Sequence, residues 1–275
     1  KSTEDYFLAG KSLPWWAIGA SLIAANISAE QYIGMSGSGF AGGLAIASYE
    51  FMAAITLIIV GKFFLPIFIK QGIYTIPEFV EKRYSSNLKT ILAVFWLALF
   101  IFVNLTSILF LGGKAIDTIV GTGDGSLIMP AIFILAIVAV AYSLYGGLSA
   151  VAWTDVIQVI LLVLGGVVTT VFALKAVSPD SSIVNGISHV TDVAGDKFDM
   201  ILSRDNPEYS NLPGIYVLIG GLWVANLYYW GFNQYIIQRT LAAKSISEAQ
   251  HGIVFAAFLK MLIPFIIVIP GIIAW

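Results

Sequence analysis

Seven apolar runs, at roughly 13–38, 42–69, 88–120, 127–145, 147–175, 213–240 and 249–275, divide this chain of 275 residues. The stretches from Lys89 to Lys114, Asp124 to Asp155 and Glu208 to Arg239 carry no charge at all. Each exceeds the roughly 20 residues that cross a bilayer core as a helix. Most connections between runs are short and Gly-rich, as in "GSGFAGG" and "YGGLSA". Two are longer. "QGIYTIPEFVEKRYSSNLK" reads as an amphipathic surface piece with helix-start chemistry at "TIPEF", and residues 176–212 read as a polar, acidic loop.

Composition strengthens this pattern. The chain is 59% hydrophobic and 11% charged, with a mean hydropathy of +0.90, whereas a soluble domain carries about a quarter charged residues. It is therefore expected to be an all-α polytopic membrane protein. The absence of an initiator Met and the ending at Trp275 inside "LIPFIIVIPGIIAW" suggest a fragment, and the polar start "KSTEDYFLAGK" is unlike a signal peptide. There is no cysteine, hence no disulfide or thiol chemistry, and the net charge of −2 adds little. Alternating the runs across a membrane puts Lys1, Lys11, Lys62, Lys70, Lys82, Arg83, Lys89, Arg239 and Lys244 on one side. Only Lys114, Lys175, Lys197 and Arg204 fall on the other. Basic residues favour the cytoplasm, so the first run enters from inside and 176–212 lies outside.

Three ionisable residues interrupt the runs away from their ends: Glu30, Glu50 and Lys260. Each costs roughly 2.5–3.5 kcal/mol at mid-membrane on insertion scales. Any one could be internal helix–helix glue. With Gln31, Asn104, Asn226 and Asn233 they make a set that points to a wet, substrate-sized cavity. In "WVANLYYWGFNQ", Asn226, Tyr229, Trp230 and Asn233 follow helical spacing onto one face. Such a stripe is often mere packing. Amides and carboxylates nevertheless suit sugar hydroxyls, and aromatic rings suit the apolar face of a pyranose. Pro264, four residues after Lys260, deprives the Lys260 carbonyl of its helical donor. "GASLIAANISAEQ" leaves two readings open: a small-residue packing face, which the residues alone favour, or a helix break whose freed carbonyls could hold Na⁺.

Three stretches, "SLIAANISAEQYIGMSGSG", "YSLYGGLSAVAWTDVIQV" and "GGLWVANLYYWGFNQYIIQRTLAAKS", closely resemble the solute:sodium symporter family, most of all its bacterial sodium/galactose branch. The Gly-Gly signature at Tyr142–Ala150 and "NQYIIQR" carry the likeness, which extends over essentially the whole chain. The resemblance implies a partial LeuT-like inverted-repeat transporter fold with about seven transmembrane helices, in the cell (inner) membrane. By it, 13–175 forms the first five-helix repeat, 176–212 an extracellular loop, and 213–275 the first two helices of the second repeat.

By the same resemblance, Gln31, Glu50, Asn226 and Lys260 hydrogen-bond the sugar. Tyr229 stacks on it and closes the inner gate with Asn26, while Met35 and Tyr49 form part of the outer gate. Ala24 and Ile27 offer backbone carbonyls to Na⁺, against the packing reading above, and Asp155 lies on the sodium path. Ala53 replaces a serine of that branch, which removes one polar contact and leaves the sugar open. Glu30 is expected to support the site by pairing.

The implied function is sodium-coupled symport of galactose or glucose, without enzymatic chemistry. Partners are the sugar, Na⁺ and the lipid bilayer, with no nucleic acid. Alternatives are another solute of the family (myo-inositol, sialic acid or proline), a channel, or an intramembrane aspartyl protease suggested by "GTGD" at 121–124. The protease needs a second aspartate on another span; Asp117 is in the same short stretch and Asp155 at the opposite side. His189 and His251 are isolated, without a zinc motif, and the sequons at Asn26 and Asn104 fall inside runs.

Overall fold

The computed structural model describes residues 2–212 and 214–275. Lys1 of the basic count, Pro213 at the start of the sixth run, and the side chain of Glu30 with its expected pairing role lie outside the described residues. Every named element is helical, apart from one isolated bridge between Leu13 and Ala243.

The first run forms two helices, α1 (Trp15–Asn26) and α2 (Ala29–Gly42), separated by Ile27 (φ −89°, ψ 97°) and Ser28 (φ −101°, ψ 176°) in extended conformation. Glu248 accepts the free N–H of Trp15 at 2.6 Å and so caps α1. Gly43 (φ 78°) reverses the chain into the second run. That run is α3, residues 48–70, which includes a π turn at Val60–Phe64. The amphipathic connection contains α4 (Ile76–Arg83), whose cap Thr75 accepts from the Glu78 N–H. The third run is α5 (Ser86–Val120), with a second π turn at Phe100–Leu105.

The fourth and fifth runs form one assignment, α6 (Ile128–Val177), interrupted at Gly147 (φ 64°, ψ −156°). A straight helix of that length would run about 75 Å, more than twice the bilayer core, so the break divides it into two spans. The polar loop contains a helix that the sequence reading missed, α7 (Ile183–Val193). The sixth run is broken more than once. Ile215–Ile219 is followed by α8 (Leu222–Leu227), a π turn at Tyr228–Phe232, extended Asn233, and α9 (Gln234–Leu241). The seventh is α10 (Ile246–Ile273), which continues through Pro264 and Pro270.

Four described helices are long and apolar enough to cross a membrane individually, or five if the bent pair in the sixth run is one span. The seven runs exceed that number because glycines split two of the long helices and the first run is broken at Ile27. α10 is apolar on all sides and more than half buried, packing on α1, α2, α3 and α6. α5 and α6 are largely exposed apolar surface.

Close packing around α10 depends on missing side chains. A Cβ at Gly252 would meet Ile18 at 2.8 Å, and one at Gly271 would collide with the Ser36 carbonyl. The small-residue face of α1 therefore packs as glycine-rich membrane helices do, while the same run also breaks at Ile27.

Gly147→Ala should be costly, because φ of 64° disfavours a side chain and the new Cβ would lie 2.6 Å from the Tyr6 carbonyl oxygen. We expect a loss of about 1–3 kcal/mol, read as a lower unfolding temperature in detergent. Gly195→Ala, with no atom within 4 Å, should leave that temperature unchanged.

Candidate functional site

Four runs meet around a cavity of about 490 Å³. The first contributes Asn26, Gln31 and Met35; the second Tyr49, Glu50 and Ala53; the sixth Asn226, Tyr229 and Trp230; the seventh Lys260. Glu50 is 3% exposed and Lys260 1%. Two such groups are tolerable in an apolar interior only when paired and fully hydrogen-bonded.

The pairing is extensive. Lys260 Nζ lies 2.5 Å from Glu50 Oε2 and also donates to Asn26 Oδ1. It stands 5.2 Å from the centroid of the Trp230 ring, within cation–π range. Gln31 Nε2 donates to the other carboxylate oxygen of Glu50 at 2.6 Å and contacts Met35 Sδ at 3.3 Å. Asn26 Nδ2 donates to the Tyr229 hydroxyl at 3.0 Å, which shares a 2.7 Å hydrogen bond with the Tyr235 hydroxyl. One continuous polar chain thus links Gln31, Glu50, Lys260, Asn26, Tyr229 and Tyr235 across α1, α2, α3, α9, α10 and the π turn after α8.

Local backbone explains these positions. The break at Ile27 ends α1 at Asn26 and deprives the carbonyls of Ala24 and Ala25 of the donors that a continuous helix would supply from Ser28 and Ala29. Ile27 and Ser28 also border a neighbouring cavity of about 410 Å³ against the second half of α6, beside Gly165, Gly166 and Thr169. These freed carbonyls are hard oxygen donors suited to a monovalent cation. In the sixth run the π turn shifts register. Asn226, Tyr229 and Trp230 line the cavity, but Asn233 does not. The expected four-residue stripe therefore fails at its last member, and the buried Asn233 Oδ1 has no hydrogen-bond partner. Asn226 Nδ2 donates to the Leu222 carbonyl at 3.0 Å.

Asp155 lies away from the cavity in a second buried cluster. It accepts from Ser21 Oγ and faces Arg239 Nη2 at 3.3 Å, while Arg239 also donates to the Tyr235 carbonyl. Through Tyr235 this cluster adjoins the end of the first polar chain. Three of these partners escaped the sequence reading. Tyr235 and Arg239 stand in "NQYIIQR", where no spacing singles them out, and Ser21 looks like any small residue of a packing face.

The two aspartates near "GTGD" have local structural roles. Asp117 is buried and accepts from the N–H groups of Gly125 and Leu127, each at 2.9 Å, holding the turn between α5 and α6. Asp124 caps the Ser126 N–H at 3.0 Å. Among the described residues no group of three His, Cys, Asp or Glu side chains could hold a metal ion. The cavity instead presents an acceptor-only carboxylate, a donor-only ammonium and amides that do both, an arrangement able to bind a polyhydroxylated solute without covalent chemistry.

Residues 6–275 match the Sodium:solute symporter family. The chain is 70% identical over 275 residues to the sodium/glucose cotransporter of Vibrio parahaemolyticus, covering 100% of this chain and 50% of that protein. It is 36% identical to sodium/glucose cotransporter 1 of Ovis aries, over 98% of this chain and 42% of that one. Among solved structures, the substrate-bound outward-open state of a Na⁺-coupled sialic acid symporter superposes with a TM-score of 0.82 at 26% identity, covering 99% of this chain and 55% of that one. The chain thus spans about half the length of the curated relatives it matches.

The Glu50–Lys260 pair yields a stability prediction. Lys260→Met strands a buried carboxylate and should cost about 3–5 kcal/mol. The double variant Glu50→Gln/Lys260→Met should recover most of that loss. Unfolding temperatures in detergent for the two single variants and the double would reveal the coupling, and simple additivity would contradict it.

Proposed function

The chain belongs to the sodium:solute symporter family, and on that premise we propose that the protein carries a neutral sugar, galactose or glucose, together with Na⁺ by alternating access. Family membership and the structural neighbour support a multi-pass membrane transporter of partial LeuT-like fold rather than an enzyme. The observation that carries the sugar reading is the polar chain from half-buried Gln31 through buried Glu50 and Lys260 to half-buried Asn26 and Tyr229, walling one cavity beside a broken helix.

In this reading Na⁺ binds the carbonyl of Ala24, freed by the break, and that of Ile27, at the break itself, and fixes the backbone beside Asn26. The sugar hydroxyls engage Gln31, Glu50, Asn226 and Lys260, exchanging the direct contacts among those groups for contacts through the solute. Met35 and Tyr49 close the outer side. Tyr229, held by Asn26 at 3.0 Å, stacks on the sugar and moves aside to release it inward. Asp155 offers Na⁺ a carboxylate on its way out. Each ligand shifts a pre-existing equilibrium by its differential affinity for the two states. The membrane potential supplies about 2.3 kcal/mol per charge per 100 mV, enough to concentrate an uncharged solute.

The proposed organisation follows: residues 13–175 form the first repeat, 176–212 the extracellular loop, and 213–275 open the second repeat. A neutral solute is favoured over an acidic one because Lys260, the cation lining the cavity, is already neutralised by Glu50. Ala53, buried against the cavity, offers the solute only a methyl group.

The test is uptake of labelled galactose by the full-length transporter in liposomes, with and without an inward sodium gradient. Sodium should drive accumulation above equilibrium. Gln31→Ala should lower kcat/KM by about 10-fold, as expected for losing one hydrogen bond to a neutral ligand. Uptake of galactose that ignores the gradient would sink the proposal; sodium-driven uptake of a different solute would retain symport and discard the sugar.

A further inference from the structure

Besides the cavity walled by Glu50 and Lys260 and the one beside Ile27, a further cavity of about 340 Å³, hereafter the second cavity, shares Asn26, Gln31 and Tyr229 with the first; these three residues line both. Its size falls at the lower end of the range for small-molecule sites. The remaining polar wall comes from Ser28 at the helix break, Tyr235 on α9, and Asn104 and Ser107 on α5.

Asn104 and Ser107 need a physical explanation. They lie one turn apart on a helix whose neighbouring side chains are apolar and open: Phe102 is 76% exposed and Leu105 52%. Both are half-buried and face the cavity. Neither side chain has a hydrogen-bond partner among the described residues. An amide or hydroxyl in a bilayer-spanning segment without a partner is costly, and polar residues there tend to mark solute pathways. The π turn at Phe100–Leu105 includes Asn104, and π turns inside helices are frequent at functional positions. The far wall offers complementary groups, namely the Asn26 and Gln31 amides and the two tyrosine hydroxyls.

We propose that this second cavity is a transit site for the transported sugar, where Asn104 and Ser107 hydrogen-bond its hydroxyls once Tyr229 has moved. The inference rests on the sugar-symport reading above. The Tyr229 hydroxyl, held between Asn26 and Tyr235, belongs to the partition between the two cavities, so one side-chain rotation joins them. Asn104 then serves the passage of solute rather than its capture. The consequence is a split between binding and turnover: weakening the second cavity slows release while leaving affinity at the first intact.

Asn104→Leu and Ser107→Ala in the full-length transporter test this. Both suit a lipid-facing helix and so should not impair folding. Maximal sodium-driven galactose uptake should fall about 10-fold for Asn104→Leu, equivalent to one such hydrogen-bonding step, with a smaller fall for Ser107→Ala. Equilibrium galactose binding in sodium should change by less than about 2-fold.

A parallel test uses Asn104→Cys in the full-length transporter, with the unaltered protein as the control for thiols outside these 275 residues, which themselves contain none. A water-soluble methanethiosulfonate reagent should modify the introduced thiol, and galactose with Na⁺ should slow that reaction. Unchanged uptake in Asn104→Leu and Ser107→Ala, or a thiol at 104 that the reagent cannot reach because protein covers that wall, would overturn the transit site. If the unaltered protein shows no sodium-driven galactose uptake, the symport reading itself fails and takes the transit site with it.

Discussion

The ion pair between Glu50 and Lys260 is the constraint on which the rest of the structure depends. Both side chains are withdrawn from water inside an apolar bundle, where each charge costs several kcal/mol to bury and their mutual attraction offsets this only with good geometry and further hydrogen bonds. Those further partners are Gln31 on one carboxylate oxygen and Asn26 on the ammonium. Neither could reach the pair from a straight, continuous helix. The break at Ile27 ends α1 at Asn26, and α2 resumes three residues later in a position that brings Gln31 to Glu50. The close packing of α10 on α1 and α2, made possible by Gly252 and Gly271, brings Lys260 within reach of Asn26 on α1 and Glu50 on α3.

The same irregular backbone connects the positions proposed for ion, solute and gate. Asn26 takes a hydrogen bond from Lys260, gives one to Tyr229, and adjoins the carbonyl positions proposed for Na⁺. In the proposed reading, a sodium ion that fixes the backbone at Ile27 would act on the solute site and the gate through one residue. Beyond Tyr229, Tyr235 shares its hydrogen bond and gives its backbone carbonyl to Arg239, which holds Asp155. The two buried clusters thus meet at α9, the helix that follows the break in the sixth run. Breaks in the first and sixth runs, rather than loops, position Asn26, Gln31 and Tyr229 at the cavity; within a membrane, freed backbone is tolerable only if it lines a cavity or finds partners in protein.

Much of this was legible in the sequence. The outer ends of the seven runs fell within a few residues of helix ends because apolar length is a strong signal, although the first and sixth runs are broken internally. The Asn-Ile-Ser interruption of the first run marked a real break, although its composition equally described the packing face that α1 presents to α10. The cavity lining of Gln31, Glu50, Asn226, Tyr229 and Lys260 could be anticipated because polar groups inside apolar runs are conspicuous. The π turns were not legible. Nothing in "FIFVNL" or "YYWGF" announces a change of hydrogen-bond register, so Asn233 was assigned to a face it does not occupy. The partners Ser21, Tyr235 and Arg239 were also hidden, because their meaning comes from contacts between runs distant in sequence. The helix Ile183–Val193 sits in a stretch whose polar flanks made it read as loop.

Coupling of the proposed sodium and sugar sites through Asn26 is tested most directly by reciprocal binding. Equilibrium affinity for galactose should be measured over a range of Na⁺ concentrations, and affinity for Na⁺ over a range of galactose, using the full-length transporter in detergent. Each ligand should tighten the other by the same factor, as linkage requires, and Asn26→Ala should reduce that factor toward one. Galactose affinity that does not vary with Na⁺, or coupling that survives intact in Asn26→Ala, would contradict it.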